Sequence, residues 1–192
     1  MKALVVYYSR TGTTKIIGDA LAKGLGAEVE ELIDMKKRLG LRPLRWFIAG
    51  WDAWRRKVTS IRVQKNPQEY DLILIGTPIW AGRMTPAVRT YLECQNLEGK
   101  KVGFFCTGSN GDRESNFDEL KLMVPKSTLV GTLGVRTLDV RSGAYVEKVR
   151  PFLMSLGVEL PPPSPTSTAI TPIQTPSNEK AASGPDSQTG NP

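Results

Sequence analysis

Histidine is absent from this 192-residue chain, and cysteine occurs only twice, at Cys94 and Cys106. Without histidine the chain lacks the commonest general base and metal ligand, so His-dependent triads and metal chemistry are not expected. Two cysteines are too few for a disulfide framework. Long apolar runs are missing as well, since none approaches the roughly 18 residues that a membrane-spanning helix needs. After Lys2 the sequence enters a short β-branched run with no small-residue cleavage site, unlike a secretory leader, and a cytoplasmic protein is expected. The remainder, 40% hydrophobic and 23% charged over a length that suits one domain, is the composition of a globular protein with one core.

Acid is scarce in one stretch. Between Lys36 and Lys65 ten Lys or Arg face a single acid, Asp52, which puts +9 there against a chain total of +7 and leaves the rest near −2. The basicity is therefore local. No aromatic and basic β platform or recognition helix accompanies it, so nucleic acid is not expected as a partner.

Periodicity orders the rest of the chain. "KALVVYY" (2–8) reads as a buried strand, and "TKIIGDALAKGLG" (14–26) as a helix with Ile16, Ile17, Ala20, Leu21 and Leu25 apolar and glycine at its end. "AEVEELID" (27–34) alternates as a second strand, while "YDLILIG" (70–76) is apolar throughout, as in a central strand covered on both faces. "TPAVRTYLECQ" (85–95) starts a helix with Thr85 at the N-cap and Pro86 in the first turn. "KKVGFFCTGSNG" (100–111) is a fourth strand ending in a loop, and "NFDELKLMV" (116–124) is helical. "STLVGTLGVRTLDV" (127–140) is a last strand bulged at its glycines, and "GAYVEKVRPFLMSLG" (143–157) a closing helix kinked at Pro151. Strands alternating with helices predict an open parallel α/β sheet, with ligands at the carboxyl ends of its strands. This domain covers 1–158. The Pro, Ser and Thr of 159–192 bury too little surface to offset their ordering entropy, so disorder is expected there.

Three strand ends carry unusual loops. "SRTGTT" (9–14) sets Ser9, Arg10, Thr11, Thr13 and Thr14 around Gly12 at the N-terminus of the first helix, where free N–H groups and the helix dipole favour a phosphate. A P-loop is excluded because no glycine precedes Gly12, and the dinucleotide pattern G-x-G-x-x-G is absent. "GTPIWAG" (76–82) offers the flat indole of Trp80, and "CTGSNG" (106–111) adds a third concave loop. Together they suit a ligand with a phosphate at one end and a fused ring at the other.

On these residues the chain resembles the flavodoxin-like family, over about residues 1–157. Ser9, Thr11, Gly12 and Thr14 match its phosphate loop [ST]-x-T-G-x-T, with Thr13 where many members carry Asn. The resemblance implies a five-stranded sheet of order 2-1-3-4-5 with helices on both faces, FMN as cofactor and electron transfer between protein partners. An FMN-dependent reductase of quinone-like acceptors with a nicotinamide donor is the alternative. It further implies that Thr77 and Pro78 shape the second loop, that Ile79 and Trp80 flank the flavin, and that Ala81 or Gly82 presents backbone to its N5. Thr107, Gly108 and Ser109 would meet the pyrimidine side, with Cys106 at the loop's entrance. The chain departs from many flavodoxins in being basic and in lacking a Tyr in the third loop, so the outer flavin face is expected either to be open to a substrate or to be covered by something else.

"RPLRWFIAGWDAWRRKV" (42–58) spaces Leu44, Phe47, Ile48, Trp51, Trp54 and Val58 by threes and fours, predicting a basic amphipathic helix inside the 36–65 insertion. It is expected to pack on the domain, with an acidic redox partner, a membrane surface (through 43–58) or a lid over the flavin as other uses. Cys106 to Arg113 has six intervening residues where cysteine phosphatases need five, so that chemistry is not expected. Cys94 is expected in the core, and Arg83 and Arg113 near the mouth of the site.

Overall fold

The computed structural model describes residues 1–35 and 59–158; the amphipathic helix expected within 43–58 and the tail at 159–192 lie outside the described residues. Four long strands carry the centre: β1 (Ala3–Tyr7), then, after the short β2 (Glu28–Glu31), β3 (Ile33–Asp34) and β4 (Ile61–Arg62), the strands β5 (Leu72–Pro78), β6 (Lys101–Gly108) and β7 (Thr128–Arg136). The helices are α1 (Thr13–Leu25), α2 (Pro86–Cys94), α3 (Asp118–Leu122), α4 (Thr137–Ser142) and α5 (Val146–Ser155). The main sheet has five strands in the order β2-β1-β5-β6-β7, all parallel, which is the expected 2-1-3-4-5 when its strands alone are counted.

Strand alternation builds two cores from one sheet. Leu4, Val6, Ile73, Ile75 and Phe104 face Tyr91, Leu92, Phe117 and Leu120 on the α2 and α3 side. Val5, Tyr7, Leu72, Leu74 and Phe105 face Ile17, Leu21, Phe152 and Leu153 on the α1 and α5 side. Each such side chain removed from water contributes about 1.5–3 kcal/mol, and burial on both faces is what makes the central strands continuously apolar in sequence. Because every strand of this main sheet is parallel, the ends at Tyr7, Pro78, Gly108 and Arg136 emerge on one edge.

The structure corrects several expectations. The segment 27–34 is two strands, because Leu32 is buried with its N–H on the Tyr7 carbonyl (2.8 Å) and the chain then leaves the sheet to form an antiparallel ribbon with β4. Glu30 secures the returning chain by accepting from the amides of Gln64 (3.2 Å) and Lys65 (2.9 Å). The bulge in β7 is present, at Val130, where the pairing passes from Leu129 to Gly131. Thr137–Val140, however, is helix and not strand: Asp139 is gripped by Arg136 (2.9 Å) and Lys148 (3.0 Å), and left-handed Gly143 closes the turn. Hydrogen bonds from Arg136 and then Lys148 hold the Asp139 carboxyl below its usual range. Cys94 is exposed at the end of α2, not in the core. α5 includes Pro151, the position at which a kink is expected, within its span.

Candidate cofactor site

The first loop leaves β1 and turns into α1 at Gly12, whose φ of 85° is the left-handed conformation that glycine adopts without strain. Ser9 reaches across this turn, its Oγ accepting from the Lys15 amide (3.2 Å). The amides of Thr11, Gly12, Thr13 and Thr14 have no partner among the described residues, so donors cluster there together with the Thr11 and Thr13 hydroxyls, 3.4 Å apart. Thr14 is buried and its hydroxyl meets that of Thr107 at 2.7 Å, which ties the first loop to the third. Lys15 turns away from this cluster to the Tyr7 hydroxyl (3.1 Å) and Asp19 (3.1 Å), and these bonds, the Tyr7 one foremost, raise its pKa.

In the second loop Thr77 is buried, its hydroxyl accepting from the Thr85 amide (3.1 Å) and lying 3.2 Å from the Thr85 hydroxyl. Thr85 therefore occupies the N-cap position without making a side-chain cap bond to α2. The Ile79 amide donates to the Thr107 carbonyl (2.8 Å), and Trp80 and Arg83 exchange amide to carbonyl bonds of 2.9 and 3.0 Å across a two-residue turn. Its residues, Ala81 (φ 49°) and Gly82 (φ 73°), are both left-handed, as in a type I′ turn. A left-handed alanine costs about 1–2 kcal/mol, so the reciprocal bonds and the anchoring of Arg83 hold a strained peptide in place. Arg83 pairs with Glu119 (3.5 Å), which also holds the buried Arg89 (2.7 Å). The Trp80 ring is only 7% exposed, packed edge-to-face on Tyr8 (5.7 Å) with the Arg10 guanidinium over it (5.6 Å); it is a wall more than an open platform.

The third loop is held from below and from the side. The Asn116 side-chain Nδ2 donates to the Asn110 carbonyl (2.7 Å), and Asp112 lies against Arg136 (3.6 Å) and Lys148 (3.9 Å). Cys106, expected at the flavin, is fully buried in the α2 and α3 core, and burial pushes its thiol pKa far up, so it is an inert core residue.

Two hollows open between these loops. The larger, about 460 Å³, lies between Thr11, Thr13 and Thr14 on one side and Pro78, Ile79, Trp80 and Thr107–Ser109 on the other. The smaller, about 380 Å³, lies between Ala81 and Gly82 and the Asn110 to Asn116 segment with Arg113. Ile79 and Ser109 line both, so the two hollows adjoin along the strand ends, and together they are the cleft. Ser9, Arg10, Gly12, Thr77 and Cys106 do not line it; the first four shape or brace its walls. Sequence reasoning missed a fourth wall, Thr137, Val140 and Arg141 of α4, because Thr137 and Val140 read as strand and Arg141 as the connection after it. The Gly143 stop signal after "TLDVRS" could have revealed it.

A family model described as flavodoxin matches residues 2–134 of the 192. The chain belongs to the flavodoxin family. Among solved structures, a flavoprotein in complex with FMN from Lactobacillus acidophilus is 22% identical with a TM-score of 0.61, covering 78% of this chain and 98% of that one. Oxidised flavodoxin 2 from Bacillus cereus is 22% identical with a TM-score of 0.54, at 82% and 98% coverage. Two-electron reduced flavodoxin from Megasphaera elsdenii is 20% identical with a TM-score of 0.51, at 80% and 96% coverage. At these identities the structures establish the flavodoxin fold. No protein of curated function matches the sequence.

Proposed function

We propose that this flavodoxin binds FMN noncovalently in the cleft and carries electrons between protein partners. The observation that carries the proposal is the pairing, in one cleft, of unpartnered amides and threonine hydroxyls at the α1 N-terminus with a long hollow leading to a strained backbone turn. The residues fit the cofactor: the amides of Thr11 to Thr14 would hold its phosphate, Ile79 and Thr107–Ser109 would border its chain and ring, and the Ala81–Gly82 peptide would face the ring's edge. Bound FMN supplies the electron acceptance, and the protein supplies position and electrostatics. Among the described residues, no carboxylate, thiol, lysine or tyrosine side chain lines either hollow, so none of these lining residues is suited to acid or base work on a substrate at neutral pH. That suits a carrier.

The reductase reading keeps one observation in its favour: residues 108–116 include no aromatic side chain to cover the smaller hollow, and Arg113 lines it. Anaerobic stepwise reduction of the FMN-loaded protein separates the two. Two resolved one-electron steps without nicotinamide-driven quinone turnover support the carrier. A single two-electron step with such turnover supports the reductase, and failure to bind FMN overturns both.

Replacing Thr14 by valine is expected to weaken FMN binding roughly tenfold and to cost about 1–3 kcal/mol of stability, because the Thr107 hydroxyl loses its 2.7 Å partner in a buried place. Flavin fluorescence titration and urea unfolding measure the two effects. The Thr14→Val/Thr107→Val double variant should recover part of the stability, since neither buried hydroxyl is then left unpaired.

A further inference from the structure

Charge is almost absent from the larger hollow. Among the described residues its lining is threonine, serine, glycine and apolar side chains, with Arg141 on α4 the one charged residue and no carboxylate. Arg141 lines the hollow in company with Thr11, Thr13, Thr14 and Ile16, so the α1 N-terminus and the cation share one space. The neighbouring charges are committed elsewhere. Lys15 is held by Tyr7 and Asp19, Arg136 by Asp112 and Asp139, and Lys148 by Asp139. The acid nearest Arg141 in sequence, Asp139, is satisfied by Arg136 and Lys148, and Arg141 makes no ion pair among the described residues.

We infer that Arg141 is the cation that answers the phosphate charge of the bound flavin, so that the cleft selects a phosphorylated flavin over its dephosphorylated form through α4 as well as through the α1 amides. The inference rests on the FMN reading of the cleft. A dianion held only by neutral donors keeps its charge uncompensated; one guanidinium from a residue lining the same hollow would supply attraction and a charge-assisted hydrogen bond. The competing account is an arginine in the last turn of α4 that merely complements the helix dipole and is otherwise solvated. That account makes no distinction between flavins.

The test is fluorescence titration of the full chain, Arg141→Gln and Arg141→Lys with FMN and with riboflavin, at low and at high salt. Arg141→Gln is expected to raise the FMN dissociation constant about fivefold at low salt while leaving that of riboflavin unchanged. Arg141→Lys should keep most of the FMN affinity, and the gap should narrow as salt screens the pair. Equal effects on both flavins, or no effect on either, would overturn the role of Arg141 while leaving FMN binding intact. Absence of flavin binding by the unaltered chain overturns the FMN reading and this inference with it.

Discussion

Gly111→Ala is expected to abolish FMN binding and to lower stability by about 3 kcal/mol. A Cβ at this position would stand 2.4 Å from the Val135 carbonyl oxygen, 2.6 Å from the Gly108 nitrogen and 2.9 Å from the Thr107 carbonyl carbon. All three are backbone atoms at the ends of β6 and β7, and none can rotate aside as a side chain would. The third loop has to lift, and with it go Thr107, Gly108 and Ser109, which border the cleft. The reciprocal contact makes the same point: a Cβ on Gly134 would lie 2.5 Å from the Asp112 Cα. Gly108→Ala is the internal control for stability, since its nearest contact is Ile79 at an ordinary 3.5 Å. Urea unfolding with FMN titration decides the matter. Flavin affinity within twofold of the unaltered protein in Gly111→Ala would show that the loop does not need this close approach.

Glu119→Ala is expected to cost a similar amount, about 3 kcal/mol, for an electrostatic reason. Arg89 is 6% exposed and rests its guanidinium on Glu119 at 2.7 Å, so removing the carboxylate leaves a cation buried without a counter-charge. The same carboxylate holds Arg83, the residue that closes the Ala81–Gly82 turn, at 3.5 Å. Stability and the flavin's midpoint potential should therefore change together. Replacing both partners, Arg89→Met with Glu119→Leu, should restore most of the stability, because the buried charge is gone with its partner, yet leave Arg83 unanchored and the potential still altered. A loss below about 1 kcal/mol in Glu119→Ala, measured by denaturant unfolding, would mean that solvent compensates Arg89 in full.

Much of the cleft is legible in the sequence. The Gly12 turn, the threonines around it and the alanine and glycine after Trp80 are local chemistry: each needs only its own backbone conformation and the strand end that precedes it. The Trp80 ring was harder to place. Its indole suggested an open platform, but Tyr8 and Arg10, contributed by the end of another strand, cover it. Cys106 looked like a loop residue because it precedes "TGSNG", whereas strand alternation sends it to the same face as Phe104 and into the core.

The sequence by itself determined the layered parallel sheet, its central strands, and the edge at which the loops gather, because alternation, apolar runs and glycine, proline and threonine positions act over a few residues. Tertiary structure alone decided where β2 leaves the sheet, that the helix at 137–142 walls the cleft, and that Thr14 is tied to Thr107. Those outcomes depend on partners far along the chain, Glu30 with Lys65, the Thr11 to Thr14 loop with Thr137 to Arg141, and Thr14 with Thr107, whose separation leaves no periodic trace in the sequence.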